Sequence, residues 1–154
     1  MKRSPMALLA CVLFAACGVG TYRAARVTGE LEVRLVARSQ SEGEEVARWF
    51  TGEILRLEPR AFVDASHVRE VHLEERPDGA RHIVLYLDAV GTERLAEVTG
   101  AHRGRRLAIV VDGRVVVAPT IRTAITEGEA HLTVGPEGDI EQVFDALTRA
   151  RPIP

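Results

Sequence analysis

The sequence predicts an α+β domain, a mainly antiparallel sheet with two to three helices packed on one face. Three observations predict it. First, two β-branched runs, Leu107–Val111 and Val115–Ala118, flank Asp112-Gly113. That pair suits a two-residue type I′ turn, whose central residues both need positive φ. Second, the apolar stretches Val71–Glu74 and His82–Leu87 flank Arg76-Pro77-Asp78-Gly79-Ala80, where Pro presets φ and Gly accepts positive φ. Third, Ile140, Val143, Phe144 and Leu147 recur at i, i+3, i+4 and i+7, the spacing of one apolar helix face.

The chain has 154 residues, 46% of them hydrophobic, enough for one core and one domain. Charged residues make up 27% and the net charge is -2, which points away from a nucleic-acid partner and from disorder. Lys2 and Arg3 precede an apolar run, Met6 to Ala16, that is too short for the roughly 20 residues a bilayer span needs. Residues 1–16 are read as a secretory signal peptide. Ala15-Ala16 before Cys17 resembles a bacterial lipoprotein cleavage site, and Cys17 is the expected lipid attachment residue. Cys11, after Leu8-Leu9-Ala10, is the alternative, and ordinary cleavage near Ala16 is a third possibility. Multiple acyl chains, at about 0.8 kcal/mol per buried CH₂, would hold the domain at a membrane. Residues 17–28 are then a tether and 29–151 the domain. No acidic residue follows Cys17 directly, so a periplasm-facing location on the outer membrane is favoured over the inner.

Within the domain, Leu31–Ala37 alternates and reads as a half-buried strand. Ser41-Glu42-Gly43-Glu44 fits a capping box, with Val46, Trp49 and Phe50 on the following short helix and Gly52 at its end. Glu53–Leu57 reads as a strand that Pro59 stops. Ala61–Val68 is ambiguous between one capped helical turn and irregular chain. Thr92 is the expected cap of a helix carrying Leu95, Ala96, Val98 and Thr99, with Gly100 at its C-terminal end. Leu107–Val111 does not alternate, so both of its faces should be covered. Pro119 ends the returning strand or makes it an edge. Ile121–Ile125 leads to a turn at Thr126-Glu127-Gly128-Glu129, and Ala130–Val134 is a final strand. Asp139-Ile140-Glu141-Gln142 is a second capping box. Six to eight strands are expected.

No catalytic motif stands out: the chain holds no G-x-S-x-G, no H-E-x-x-H and no phosphate-binding glycine loop. His67, His72, His82, His102 and His131 form no ligand pair at metal spacing on one helix, although His72 and His82 approach across a hairpin. Solvated strand histidines are the preferred reading, so no metal and no cofactor are expected. Glu74, Glu75 and Asp78 read as a solvated hairpin tip. Arg103, Arg105 and Arg106 suit an anion or a solvated loop, and the loop is preferred because cations near a helix C-terminus are favoured by its dipole.

One resemblance runs through these pieces. Leu85-Tyr86-Leu87-Asp88 is followed by Gly91–Thr99, then Gly104–Val115, Ala118-Pro119-Thr120-Ile121, and Ile125 with Gly128. From about Ala61 onward this order resembles the head subdomain of the first periplasmic domain of SecD, the Sec-translocase accessory protein. Leu31–Leu57 extends the resemblance more weakly. Val117 stands where the family has a small polar residue, and Glu129-Ala130-His131-Leu132 where it has a closing strand. The resemblance implies protein export and contact with translocating polypeptide; the family's proton coupling resides in transmembrane helices, which this sequence does not show. A membrane-tethered module is therefore expected, binding polypeptide or an envelope protein partner, with the Sec machinery a candidate. Its candidate surface is Ala118, Pro119, Thr120, Ile121 and Ile125, an edge suited to strand addition; plain core packing is the competing reading for those residues. An envelope hydrolase with an unrecognised site, or a purely structural lipoprotein, is the alternative.

Overall fold

The computed structural model of the protein describes residues 22–149; the expected signal peptide and Cys17 lie outside them. Two antiparallel sheets share the work of the one sheet expected. The first has the order β1-β5-β6-β9, from Tyr22–Ala25, Val68–Glu75, Arg81–Leu87 and Glu129–Leu132. The second has the order β3-β4-β2-β7-β8, from Glu44–Ala47, Ile54–Asp64, Leu31–Val36, Leu107–Val111 and Arg114–Val117. Helices α1 (Ala89–Ala101) and α2 (Ile140–Thr148) complete the described fold with a single 3-10 turn, Ala65–His67. Tyr22–Ala25, expected in the tether, thus pairs with β5 as a strand.

β7 lies at the centre of the packing. All five of its residues are buried, but they enter two different cores. Leu107, Ile109 and Val111 join the main core, with Leu31, Val33 and Leu35 of β2, the inner residues of β5 and β6, Leu95 and Val98 of α1, and the apolar stripe of α2. Ala108 and Val110 face a smaller core of Val46, Leu55, Leu57 and Val115. The β7–β8 turn is as expected, with φ of 45° at Asp112 and 72° at Gly113.

Several local expectations are overturned by tertiary pairing. Glu44–Ala47 is a strand, not a helix, because Val46 fills the small core and Glu44–Ala47 pairs with Leu57–Ile54. Gly43, at φ +84°, turns the chain onto β4 so tightly that a Cβ there would lie 2.4 Å from the Leu57 carbonyl oxygen. Pro59 does not stop its strand. β4 runs through it because the β2–β4 register slips there: Val36 pairs with Leu57 and Arg34 with Ala61. Pro59 therefore sits in a bulge, where its missing N–H breaks no ladder bond. Asp88, not Thr92, caps α1, accepting from the Gly91 N–H at 2.7 Å. Gly100 lies inside that helix, and His102 is its C-cap. α2 is capped by Asp139 as expected, with the Gln142 side-chain amide donating to the Asp139 carboxylate.

α2 is held to the sheets at its far end. The Thr28 and Gly29 N–H groups both donate to the Leu147 carbonyl, at 2.8 and 2.9 Å. A Cβ on Gly29 would come within 2.2 Å of the Ala146 carbonyl oxygen, a backbone atom that cannot swing aside. Gly29→Ala should therefore lower unfolding free energy by about 1–3 kcal/mol, read by urea denaturation, with overpacking as the cause. An unchanged midpoint would contradict this docking.

Candidate functional site

The expected edge begins where β8 ends. Past Val117 the chain stays extended and pairs with the entry to β7. The Leu107 N–H donates to the Pro119 carbonyl at 2.9 Å, and the Ile121 N–H to the Arg105 carbonyl at 2.8 Å. Thr120 pairs with Arg106 between those bonds. Alternate residues of an antiparallel pair turn their backbone groups to opposite sides, so the N–H and C=O of Thr120 face away from the sheet. Pro119 and Thr120 are exposed, Ala118 and Ile125 half-buried. Ile121 is buried at 7% exposure within the main core. Ile125 is tied back by its N–H to the hydroxyl of Thr99, at 2.9 Å. The five candidate residues thus lie along one segment and divide in role. Thr120 presents backbone, whereas Pro119 gives its carbonyl to Leu107 and Ile121 packs in the core.

The basic loop positions this edge. The Arg105 guanidinium bonds the Val36 carbonyl at 2.8 Å and pairs with Glu58. Arg106 Nε donates to the Ala118 carbonyl at 3.0 Å. Of the three arginines, Arg103 is exposed while the other two are half-buried. Neither Arg105 nor Arg106 is the solvated side chain expected, because the β2–β4 bulge and the edge both present carbonyls to them.

Sequence reasoning missed the residues on the other side of β8. Arg48 forms an isolated parallel bridge to Val115, and the Trp49 N–H donates to the Val115 carbonyl at 2.8 Å. The Arg114 guanidinium lies 3.9 Å from the centre of the Trp49 ring. Reading Trp49 and Phe50 at helical spacing concealed this contact.

The histidines gather elsewhere. His72, His82 and His131 share the outer face of the first sheet, beside Glu70, Glu74 and Glu129. His82 stacks on His131, with ring centres 5.6 Å apart, rather than meeting His72, which lies 4.6 Å from the Tyr86 ring. Among the described residues no group of three or more His, Cys, Asp or Glu is placed to hold a metal ion. Burial, and then the charges of Glu74, Glu129 and Glu70, push the Tyr86 hydroxyl above its ordinary value of 10.0. The hydrogen bond from Ser66 holds Asp64 below the usual carboxylate value, and the Gly91 N–H does the same for Asp88. Both carboxylates are capping groups, which explains their perturbation without chemistry. A cleft of about 510 Å³ is lined by Glu32, Arg34, Glu44, Asp64 and Asp112 over Val46 and Val110. Arg34 there is satisfied by Glu44 at 2.9 Å and the Glu58 carbonyl at 2.8 Å.

A family profile described as SecDF, P1 head subdomain, matches residues 39–139. The match reaches well upstream of Ala61. The chain is 39% identical over 67 residues to the protein translocase subunit SecD of Acetobacter pasteurianus, covering 44% of this chain and 13% of that protein. It is 31% identical over 115 residues to SecD of Treponema pallidum, covering 75% of this chain and 19% of that one. It therefore spans less than a quarter of the length of either relative. A solved structure of SecDF, titled as a membrane component that enhances protein export, superposes with a TM-score of 0.62 at 25% identity, over 79% of this chain and 61% of that one. SecDF of Thermus, a translocon-associated membrane protein by its title, gives 0.53 at 27% identity, over 80% and 19%.

The division of roles along the edge is testable by stability. Ile121→Glu should destabilise by about 3–5 kcal/mol, because it buries a carboxylate in place of an apolar side chain. Thr120→Glu should change stability by no more than about 0.5 kcal/mol. Guanidinium denaturation of both variants checks this, and equal effects would contradict the placement of Ile121.

Proposed function

The chain belongs to the SecDF P1 head subdomain family, and from that premise we propose that it is a lipid-tethered envelope protein. It binds extended polypeptide during protein export or envelope protein handling. The observation that carries this reading is the backbone of Thr120, exposed and turned away from the sheet at a segment whose opposite side is fully paired. Such an edge accepts a strand through main-chain hydrogen bonds with little demand on sequence, as suits a domain that meets many polypeptides. The buried Ile121 and the Arg106 bond to the Ala118 carbonyl hold the edge in place.

Attachment through Cys17 is supported by the apolar run 6–16 and the small residues Ala15-Ala16 before it. No helix among the described residues is long and apolar enough to cross a membrane, which fits a domain carried by a lipid anchor. The residue after Cys17 is Gly18 rather than an acidic one, which favours the periplasm-facing side of the outer membrane. The Sec machinery is the partner the family suggests. The proposed role is binding and not catalysis, since the perturbed carboxylates serve as caps.

A photo-crosslinking residue in place of Thr120, in living cells, tests the reading. Capture of exported proteins of many sequences is the expected result, lost together with membrane retention in Cys17→Ser. Capture of one constant envelope protein would replace polypeptide handling with an adaptor role. Capture of nothing by a folded, membrane-retained protein would overturn the edge.

A further inference from the structure

β8 ends the strand order of the second sheet, yet its outer side is not open along its whole length. At Val115 it is covered by Arg48 and Trp49, through one parallel bridge and one hydrogen bond of 2.8 Å. Parallel pairing is the weaker kind, and here it extends over a single residue. Residues 48–53 also close on themselves. The Arg48 N–H donates to the Glu53 carbonyl at 2.8 Å, and the Gly52 N–H to the Arg48 carbonyl at 3.0 Å. What presses this loop on β8 is Trp49, half-buried and roofed by Arg114 from the exposed turn of the β7–β8 hairpin. Five residues further along the same edge, the backbone of Thr120 stands uncovered.

We propose that residues 48–52 form a displaceable strap, which occupies in the resting protein part of the edge that an incoming polypeptide takes. The proposal rests on the polypeptide-binding reading and adds its regulation. Thr120 is the uncovered start. An extended segment pairs there first, grows toward Val115, and replaces the Trp49 N–H with one of its own on the Val115 carbonyl. The bulge beside Val115, where the register shifts between Ile109 and Val110, separates the two positions, so the strap does not block the first contact. Edge strands are commonly covered to prevent unwanted pairing. The cover is held by its one-residue bridge to Val115, by the cation–π contact and by the partly buried side chains of Trp49 and Phe50 against the main core. It protects the edge and still yields to a segment that makes several backbone bonds.

The test uses the whole chain, purified in detergent, with fluorescently labelled, reduced and carboxymethylated lactalbumin as an unfolded probe. Arg114→Gln removes the roof without touching the core, and Trp49→Ala removes the strap's grip. Each should bind the probe about 5- to 30-fold more tightly than the unaltered protein, the range that one or two lost weak contacts give. Thr120→Pro, which removes the outward N–H, should weaken binding in either background. Probe binding that is equal in all strap variants would overturn the strap and leave the polypeptide reading standing. No binding by any variant, all folded by circular dichroism, would overturn both. Tighter binding unaffected by Thr120→Pro would mean the probe sits elsewhere, and the strap would not be guarding this edge.

Discussion

The structure depends on burying both faces of one short strand. β7 has β2 on one side and β8 on the other, and its five side chains divide between two cores that lie on opposite faces of the sheet. A fully buried Val, Leu or Ile side chain contributes about 1.5–3 kcal/mol, so Leu107, Ile109, Val110 and Val111 together rival the net stability of a typical small domain. Burial on two faces also dictates what must surround β7. The first sheet and both helices close one face. The pairing of β3 with β4 brings Val46 over the other. One face of β7 is thus closed by the other sheet and the helices, and the face carrying Ala108 and Val110 by strands of β7's own sheet.

From β7 the chain runs back as β8, and its irregularities carry the functional interest. The type I′ turn sends the chain back in register, the bulge shifts it, and Pro119 removes a donor from the pairing that continues with the residues before β7. Arg106, just before β7, then holds the continuing segment through the Ala118 carbonyl, while Arg105 ties the loop to Val36 and Glu58. The outward side carries two different features. One end is the strap with Trp49 under Arg114, and the other is the bare backbone at Thr120. The same rigid hairpin supports both, so a contact made at Thr120 lies close to the strap without rearranging the core.

Much of this was legible in the residues because it was local. The Asp112-Gly113 turn, the hairpin through Pro77-Asp78-Gly79 and the apolar stripe of α2 are set by φ preferences and periodicity over a few residues, and each appears as expected. The non-alternating run at Leu107–Val111 announced that both faces are buried, but not that they meet separate cores. What escaped was settled by distant partners. Ser41 and Glu44 look like a helix start. However, Glu44 is recruited by the buried guanidinium of Arg34, and Val46 by a core assembled from β4, β7 and β8. Pro59 reads as a stop until the bulge opposite Leu35 gives it a place without a ladder bond. Along the candidate edge, the contacts of Arg106 and Trp49 were not legible in the sequence, since their bonds to Ala118 and Val115 span 12 and more residues.

Native-state hydrogen exchange at the five β7 amides tests the central claim most directly. If burial in both cores makes β7 the element on which the rest depends, the amides of Leu107–Val111 should be among the slowest to exchange. Their opening free energy should then equal that of global unfolding by denaturant. Exchange of β7 through a smaller opening, while the β5–β6 hairpin stays protected, would show that the first sheet stands without it and would contradict the account.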